Sequence, residues 1–548
     1  MSGTNRYDAV IVGGGHNGLT AAGYLARAGL SVVVLEQREV AGGLCSPLEF
    51  FPGYTAAITN SPGSLEPKIV NDLELEKFGL SFIKPDPSLV YPFPDGRVFV
   101  GHRDRGRALD EVRKFSEADA TVYEEFFRYM EEFAELLDVS VFEPPPPFAE
   151  LVKNIKGPRA EEMFSKIMFG SMQDFVEEWF ESSEIRALIA SITTVSNLVG
   201  PRTPGTVMRA MLRPISLRSS TVTGDHDPRK VVLRGSTGLP VGGMGAIPTS
   251  MADSLVASGG EIRTNARAAR ISTHDGRVTG VILESGEVFH TGFVLSNANP
   301  QITLLDLVDA SDLPSEFRDR VSNIKMKGSA FKVGLALDDL PRFAAAADEE
   351  EAVAFASCQF RVAPTLDYME LAYDDAKYGR PSQSPMMWGL TPSVTDPQLA
   401  PEGKHVMSIN VFHAPHELAE GLSWETERDR FGKRAIEVMS EYIPNLADII
   451  VDTRFWSPVD LEREYGLVGA HITHGESMPG SMFSFRPIPG WSDYATPIAG
   501  LYMCGAGVWP GGSISGAPGH NAAHKVLADL AAGATIVDGT NTAKRSAQ

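Results

Sequence analysis

Cysteine is almost missing from this chain: 548 residues contain only Cys45, Cys358 and Cys504, with no CxxC or CxxxxC pair. That excludes a disulfide framework and a closely spaced redox dithiol, and makes a reduced, cytoplasmic setting the expectation. Positive charge is short as well, with 49 Lys and Arg against 70 Asp and Glu and a formal net charge of −21. A field of that sign repels phosphate backbones, so nucleic acid is not expected as a partner. No uninterrupted apolar run reaches the ~20 residues that a membrane span requires. The opening MSGTNRY leaves no room for the apolar core of a signal peptide before the first strand. Internal repeats and extended low-complexity segments are absent too, and no metal site is expected.

What is present is an ordinary globular composition, 43% hydrophobic and 22% charged, on a chain long enough for two or more domains. Tyr7–Val12 reads as a short strand, Leu19–Ala28 as an alanine-rich helix and Ser31–Glu36 as a second strand. This is the start of a parallel sheet with a right-handed crossover. Between strand and helix stands Gly13-x-Gly15-x-x-Gly18. Glycines at these positions allow a tight turn, close approach of backbone to a pyrophosphate, and close helix–strand packing. Glu36, 23 residues after Gly13, closes the second strand where an acid can bond ribose hydroxyls. Together these features define a dinucleotide site. The glycine doublet Gly42–Gly43 follows six residues after Glu36.

From about Asp104 to Arg234 the pattern is helical, with Phe126, Met130, Phe133 and Leu137 on one stripe and Phe164, Ile167, Met168, Phe175 and Trp179 on others. Pro144–Pro147 reads as a stiff connector. Strand-like sequence returns over Val231–Asn297, with turns at His274–Arg277 and Ser285–Glu287. Later candidate strands are Ser329–Leu337, Met387–Thr391 and His405–Phe412. Gly500–Cys504 then leads through a glycine loop into a helix around Asn521–Leu530. The expected fold class is α/β, a Rossmann-like dinucleotide-binding domain interleaved with an α+β substrate domain that carries a mixed or antiparallel sheet and a helical region. The first domain takes residues 1–62, 231–303 and 496–535; the second takes 63–230 and 304–495; 536–548 form a tail.

The run VGGGHNGLTAAGYLARAGLSVVVLEQREVAGGL resembles the extended FAD fingerprint of the superfamily of amine oxidases, carotenoid desaturases and Rab GDP-dissociation inhibitors. Leu44 stands where an arginine usually follows the doublet. A second stretch, GLYMCGAGVWPGGSISGAPGHNAA over residues 500–523, resembles the segment that lies along the flavin and ribityl chain in that superfamily. The likeness extends over nearly the whole chain and is greatest to the FAD-dependent carotenoid and phytoene desaturase-like branch. That branch includes the pyridine nucleotide-disulfide oxidoreductase domain-containing protein 2 type. Further matches to it are Leu239–Met251, Pro392–Lys404, His474–Gly475 and Phe485–Pro487. The cofactor set is then Gly13, Gly15, His16, Asn17, Gly18, Glu36, Gln37, Gly42, Gly43, Leu44, Ala269, Gly505, Ala506, Gly516 and Ala517.

The resemblance implies hydride removal from a small organic substrate, apolar or amphiphilic, to flavin N5. The leading expectation is a desaturase or dehydrogenase acting on a C–C bond. An amine or amino-acid oxidase, a redox-neutral flavin isomerase and a non-catalytic lipid- or protein-binding chaperone are the alternatives. The sequence has no second strand–GxGxxG–helix unit for a nicotinamide, so oxygen, a quinone or another protein is the expected electron acceptor. Lys332 resembles the lysine that amine oxidases hold near the flavin through a water; a lysine at a strand edge is its other reading. His474 and Glu476 are candidate acid–base groups, and Arg486 a candidate to hold a carboxylate or the flavin, with structural hydrogen bonding as the alternative for all three. Tyr54 and Trp509 are candidates to touch substrate or to pack in the core, and Asn521 a candidate helix cap. The stretch 202–234 carries Arg202, Arg209, Arg213, Arg218, Arg229, Lys230 and Arg234 among apolar residues. It is a candidate surface for peripheral membrane contact, with a solvated face as the plainer reading.

Overall fold

The computed structural model describes residues 5–60, 64–219 and 238–533. Two apolar tetrapeptides fix its first layer. AVIV in β1 (Ala9–Val12) and VVVL in β2 (Val32–Leu35) are buried at every position. Continuous burial of that kind suits parallel strands covered on both faces. They lie at the centre of a five-stranded sheet in the order Leu501–Met503, Phe293–Ser296, β1, β2, Glu261–Arg263, every pair parallel. The outer strands therefore come from sequence far along the chain, and the sheet closes only when those stretches return. Helix α1 (His16–Arg27) crosses from β1 to β2 and packs against the helices Ala246–Ala257 and Ala517–Ala531.

Beside this layer, Ala268–His274, Arg277–Leu283 and Val288–His290 form an antiparallel three-stranded sheet. Its first turn places Asp275 and Gly276 at positive φ, the geometry a two-residue hairpin requires. The second unit is a seven-stranded sheet, in the order Ile450–Trp456, Phe331–Leu337, His405–Val411, Met387–Leu390, Gln359–Val362, Leu89–Pro92, Val98–Gly101. All its pairs are antiparallel except Gln359–Val362 with Leu89–Pro92.

Helices cover one side of the second unit. The longest, Glu117–Leu137, starts at Ser116, whose hydroxyl accepts from the Asp119 amide. It buries Phe126, Met130, Phe133 and Leu137 in a core shared with the shorter helices that follow. Each such side chain stabilises the fold by roughly 1.5–3 kcal/mol. Trp509 and Ala517 of the late glycine loop belong to this helical core, whereas Val508 and Ile514 of the same loop belong to the core of the five-stranded sheet. The loop therefore stitches the two units together.

One expectation changes. The last helix begins at Ala517 behind Gly516, so Asn521 lies in its second turn and does not cap it. Asn521 instead donates to Val141 O and to the Tyr494 hydroxyl. In the described part of 202–234, Met208 and Met211 are buried and Arg209 borders an internal cavity, while Arg202 and Arg218 are exposed. Arg229, Lys230 and Arg234 lie outside the described residues. No helix among the described residues is long and apolar enough to cross a membrane.

Candidate functional site

The glycine turn takes its shape from what a side chain would meet. A Cβ at Gly18 would stand 2.2 Å from the Gly13 carbonyl oxygen, and one at Gly15 would stand 2.7 Å from Asn297 Nδ2. Gly13 has φ +95°. Residue 15 precedes α1 and brings no capping side chain, so the first amides of the helix are left for an anion. Gly42 donates to the Gly14 carbonyl at 2.8 Å and has φ +129°, and a Cβ at Gly43 would come within 3.3 Å of Gly15 Cα. The doublet thus lies directly against the turn.

Glu36 is buried at the end of β2, where its carboxylate accepts from Gly14 N at 2.8 Å and from Arg38 N at 2.9 Å. Burial raises its pKa, and these amides pull the other way. Arg38 bonds Ser46 Oγ at 2.9 Å and stacks 4.3 Å from the Tyr465 ring centroid.

Most of these residues border one cavity of about 970 Å³. That is near the upper end of the ~300–1,000 Å³ usual for small-molecule sites. Gly13, Gly15, His16, Asn17, Glu36, Gln37, Gly42, Gly43, Leu44, Ala269 and Ala506 all face it, as do Lys332 and His474. Gly18, Gly505, Gly516 and Ala517 stand behind its wall. A Cβ at Gly505 would meet Asn297 O at 2.5 Å, one at Gly516 would meet Ile69 and Thr20 at 3.1 Å, and Ala517 packs in the helical core. Their role is close packing that positions the wall.

Lys332, on the strand Phe331–Leu337, is 1% exposed. Its Nζ donates to Asn60 Oδ1 at 3.0 Å, Ser408 Oγ at 2.6 Å and Asn410 Oδ1 at 3.1 Å. No ion pair to a carboxylate compensates the charge among the described residues, and burial drives its pKa well below the ordinary lysine value. The His474 pKa is pushed down to about 4, first by burial and then by nearby positive charge at Arg486 and His16. Its imidazole is therefore neutral near pH 7, and its buried Nδ1 has no partner among the described residues.

Four of the expected site residues are placed differently. Glu476 turns to Lys325, 3.3 Å away, and does not border the cavity. Arg486, 2% exposed, donates to the carbonyls of Glu476 at 2.8 Å and Ala506 at 2.7 Å, and also to that of Thr473. It ties the segment before the late glycine loop to the loop itself, pairs with no carboxylate among the described residues and does not itself border the cavity. Tyr54 packs edge-on against Phe51, and Trp509 stacks on Phe483 with its Nε1 bonded to Ser140 O at 3.0 Å. Trp509 is a core residue and Tyr54 is half-buried at the edge of one, and neither borders the cavity. Bulk alone cannot tell a core aromatic from one that lines a cavity.

The cavity also uses residues that carry no motif in the sequence: Arg38, Asn297, Arg209, Trp388 and Asn410. Asn297 directly follows the strand Phe293–Ser296, where ligands of parallel sheets gather, and that rule could have found it. Arg209, Trp388 and Asn410 have no comparable local signal.

An uncapped helix N-terminus, a turn that excludes Cβ atoms and a buried, unpaired Asn17 Oδ1 at the cavity wall all fit a bound dinucleotide. With an acid closing β2 and a second sheet completing the cavity, they form a nucleotide-type site on a fold of two interleaved units. The chain belongs to the flavin containing amine oxidoreductase family, whose pattern matches residues 18–373. It is similar to pyridine nucleotide-disulfide oxidoreductase domain-containing protein 2 of Rattus norvegicus, at 32% identity over 96% of this chain and 94% of the relative. One of the chains of limonene dehydrogenase from Castellaniella defragrans is 26% identical over 97% of this chain and 96% of its own length. An oxidoreductase of known structure from Methanosarcina mazei shares the fold, with a TM-score of 0.61 at 16% identity, covering 95% of this chain and 99% of that one. Family membership makes the cofactor a flavin.

Proposed function

We propose that the cavity holds FAD and that the protein is a dehydrogenase or desaturase acting on a C–C bond of an apolar or amphiphilic substrate. The observation that carries this reading is the wall built by the helical region and the seven-stranded sheet. There Ile192, Val195, Leu212, Phe331, Trp388 and Phe412 face the cavity, and the polar side chains of that wall are Ser196, Arg209, Lys332 and Asn410, with His474 nearby, rather than carboxylates. The acids that border the cavity come from elsewhere: Glu36 after β2, Glu284 in a hairpin turn, Asp306, and Glu462 on the helix Pro458–Tyr465. A substrate ammonium would meet positive charge and no counter-ion at the apolar wall, which disfavours an amine. The name of the limonene-dehydrogenating relative is consistent with an isoprenoid-like substrate.

The uncapped amides of α1, the Gly42–Gly43 backbone and Glu36 would hold the nucleotide half of FAD. A bound flavin supplies a hydride acceptor. The protein's own part is to exclude bulk water with the apolar wall, to orient the substrate along it, and to assist loss of a proton. Neutral His474 borders the cavity and can hydrogen-bond the water that takes that proton. Lys332, with three acceptors around its Nζ, fixes the polar edge of the wall. Electrons then leave to oxygen, a quinone or another protein.

The test is anaerobic bleaching of the flavin by a panel of isoprenoids, acyl compounds, amines and amino acids. Bleaching by an isoprenoid or acyl compound is expected. Bleaching by amines alone overturns the reading, turnover without any electron acceptor points to an isomerase, and a protein purified without flavin points to a binding role.

A further inference from the structure

The apolar wall contains one side chain that an apolar substrate does not explain. Arg209 sits in the short helical turn Val207–Met211, where Val207, Met208 and Met211 all point into the helical core. Arg209 points the opposite way and borders the cavity beside Ile192, Val195 and Leu212. Its one hydrogen bond among the described residues runs from Nη2 to the Val195 carbonyl at 2.9 Å, and its buried Nε has no partner.

No carboxylate among the described residues pairs with it. Its neighbours in the chain are treated differently: Arg202 pairs with Asp367 at 2.6 Å and Arg218 pairs with Asp138. The charged surroundings make matters worse, because Arg209 lies close enough to lower the pKa of both Arg486 and His471. Arg486 is compensated by main-chain carbonyls and His471 is neutral, so neither offers Arg209 a counter-charge. Burial lowers the Arg209 pKa to about 10, which still leaves the guanidinium charged at neutral pH. A desolvated cation without an acidic partner is unfavourable unless something anionic completes it.

The glycine turn, the α1 N-terminus and Arg38 already provide donors on the five-stranded-sheet side of the cavity. Arg209 comes from the helical region, on the wall assigned above to substrate. Guanidinium groups match the two oxygens of a carboxylate with parallel N–H bonds. We propose that Arg209 anchors the carboxylate of an otherwise apolar substrate, so that the natural substrate is an amphiphilic acid, not a plain hydrocarbon or an amine. This rests on the reading of that wall as the substrate's, given under the proposed function.

The experiment titrates the flavin-loaded protein with dodecanoate and with dodecanol, following the shift of the flavin absorption band without any turnover. The acid is expected to bind ~10-fold or more tightly than the alcohol, the worth of one charge-assisted hydrogen bond. Arg209→Met is expected to remove that preference with flavin content unchanged, and Arg209→Lys to retain part of it. Equal affinity of the unmodified protein for the two probes, or failure of both to bind, overturns the proposal. So does loss of flavin from Arg209→Met, which assigns the guanidinium to the cofactor. Because binding is read without turnover, a preference for acid can persist even where no C–C substrate bleaches the flavin, and the two readings fail separately.

Discussion

Replacing Arg486 with methionine separates a structural arginine from a catalytic one. The guanidinium is 2% exposed and donates to the carbonyls of Glu476 at 2.8 Å and Ala506 at 2.7 Å, with a further bond to Thr473 O. Methionine fills much of the volume but donates nothing, leaving these carbonyls without their charged donor. Each bond to a charged group is worth ~1.5–3 kcal/mol, and removing the buried charge returns part of that sum. A net loss of about 3 kcal/mol is the outcome, which lowers the thermal unfolding midpoint by about 2–3 °C for a chain of this length. Because the bond to Ala506 ties down a residue of the cavity wall, flavin release should accelerate together with the loss of stability. Arg486→Lys keeps a charge that reaches fewer carbonyls and should fall between. Thermal unfolding followed by flavin fluorescence reads both effects. A methionine variant with unchanged midpoint and flavin content but depressed turnover would refute this account and return Arg486 to the chemistry.

Lys332 makes a prediction about pH. Its folded pKa lies below the unfolded value of ~10.4, so between the two the unfolded chain binds more protons and stability rises with pH by up to ~1.4 kcal/mol per unit. Lys332→Met should remove that slope in denaturation measured from neutral to alkaline pH, and parallel curves for the two proteins would contradict it. At Gly18 a methyl group would meet the Gly13 carbonyl oxygen at 2.2 Å, a backbone atom that cannot swing aside. Gly18→Ala should cost ~1–3 kcal/mol. Gly480→Ala, where a Cβ meets nothing within 4 Å, is its neutral control in the same unfolding assay.

The cofactor side of the site was legible because its signals are local. A strand, a turn that tolerates no Cβ, a helix end and an acid lie within the first 36 residues, and chain geometry alone forces them together. The strands at Leu501–Met503 and Phe293–Ser296 were legible for a similar reason, as short apolar runs bounded by glycine or asparagine. The substrate side was not. Trp509 and Tyr54 are large and lie near recognisable motifs, yet packing against Phe483 and Phe51 claims them. Arg209 belonged to a basic stretch that looked like a surface, and only the burial of Met208 and Met211 shows that the turn points it inward. Glu476 and His474 are two residues apart, but the positive φ of His474 and Gly475 sends their side chains to different surroundings. No periodicity encodes such a reversal.

The central claim is that the glycine turn, Glu36 and the Gly42–Gly43 doublet hold FAD. Its most direct test is the identity and amount of flavin released when the purified protein is denatured, compared with the Glu36→Gln variant. Glutamine can accept from only one of the two amides that the carboxylate now serves, at Gly14 and Arg38. One FAD per chain is expected from the unmodified protein, with retention falling ~10-fold or more in the variant. Release of FMN, or of no flavin, or equal FAD retention by both proteins, would contradict the claim.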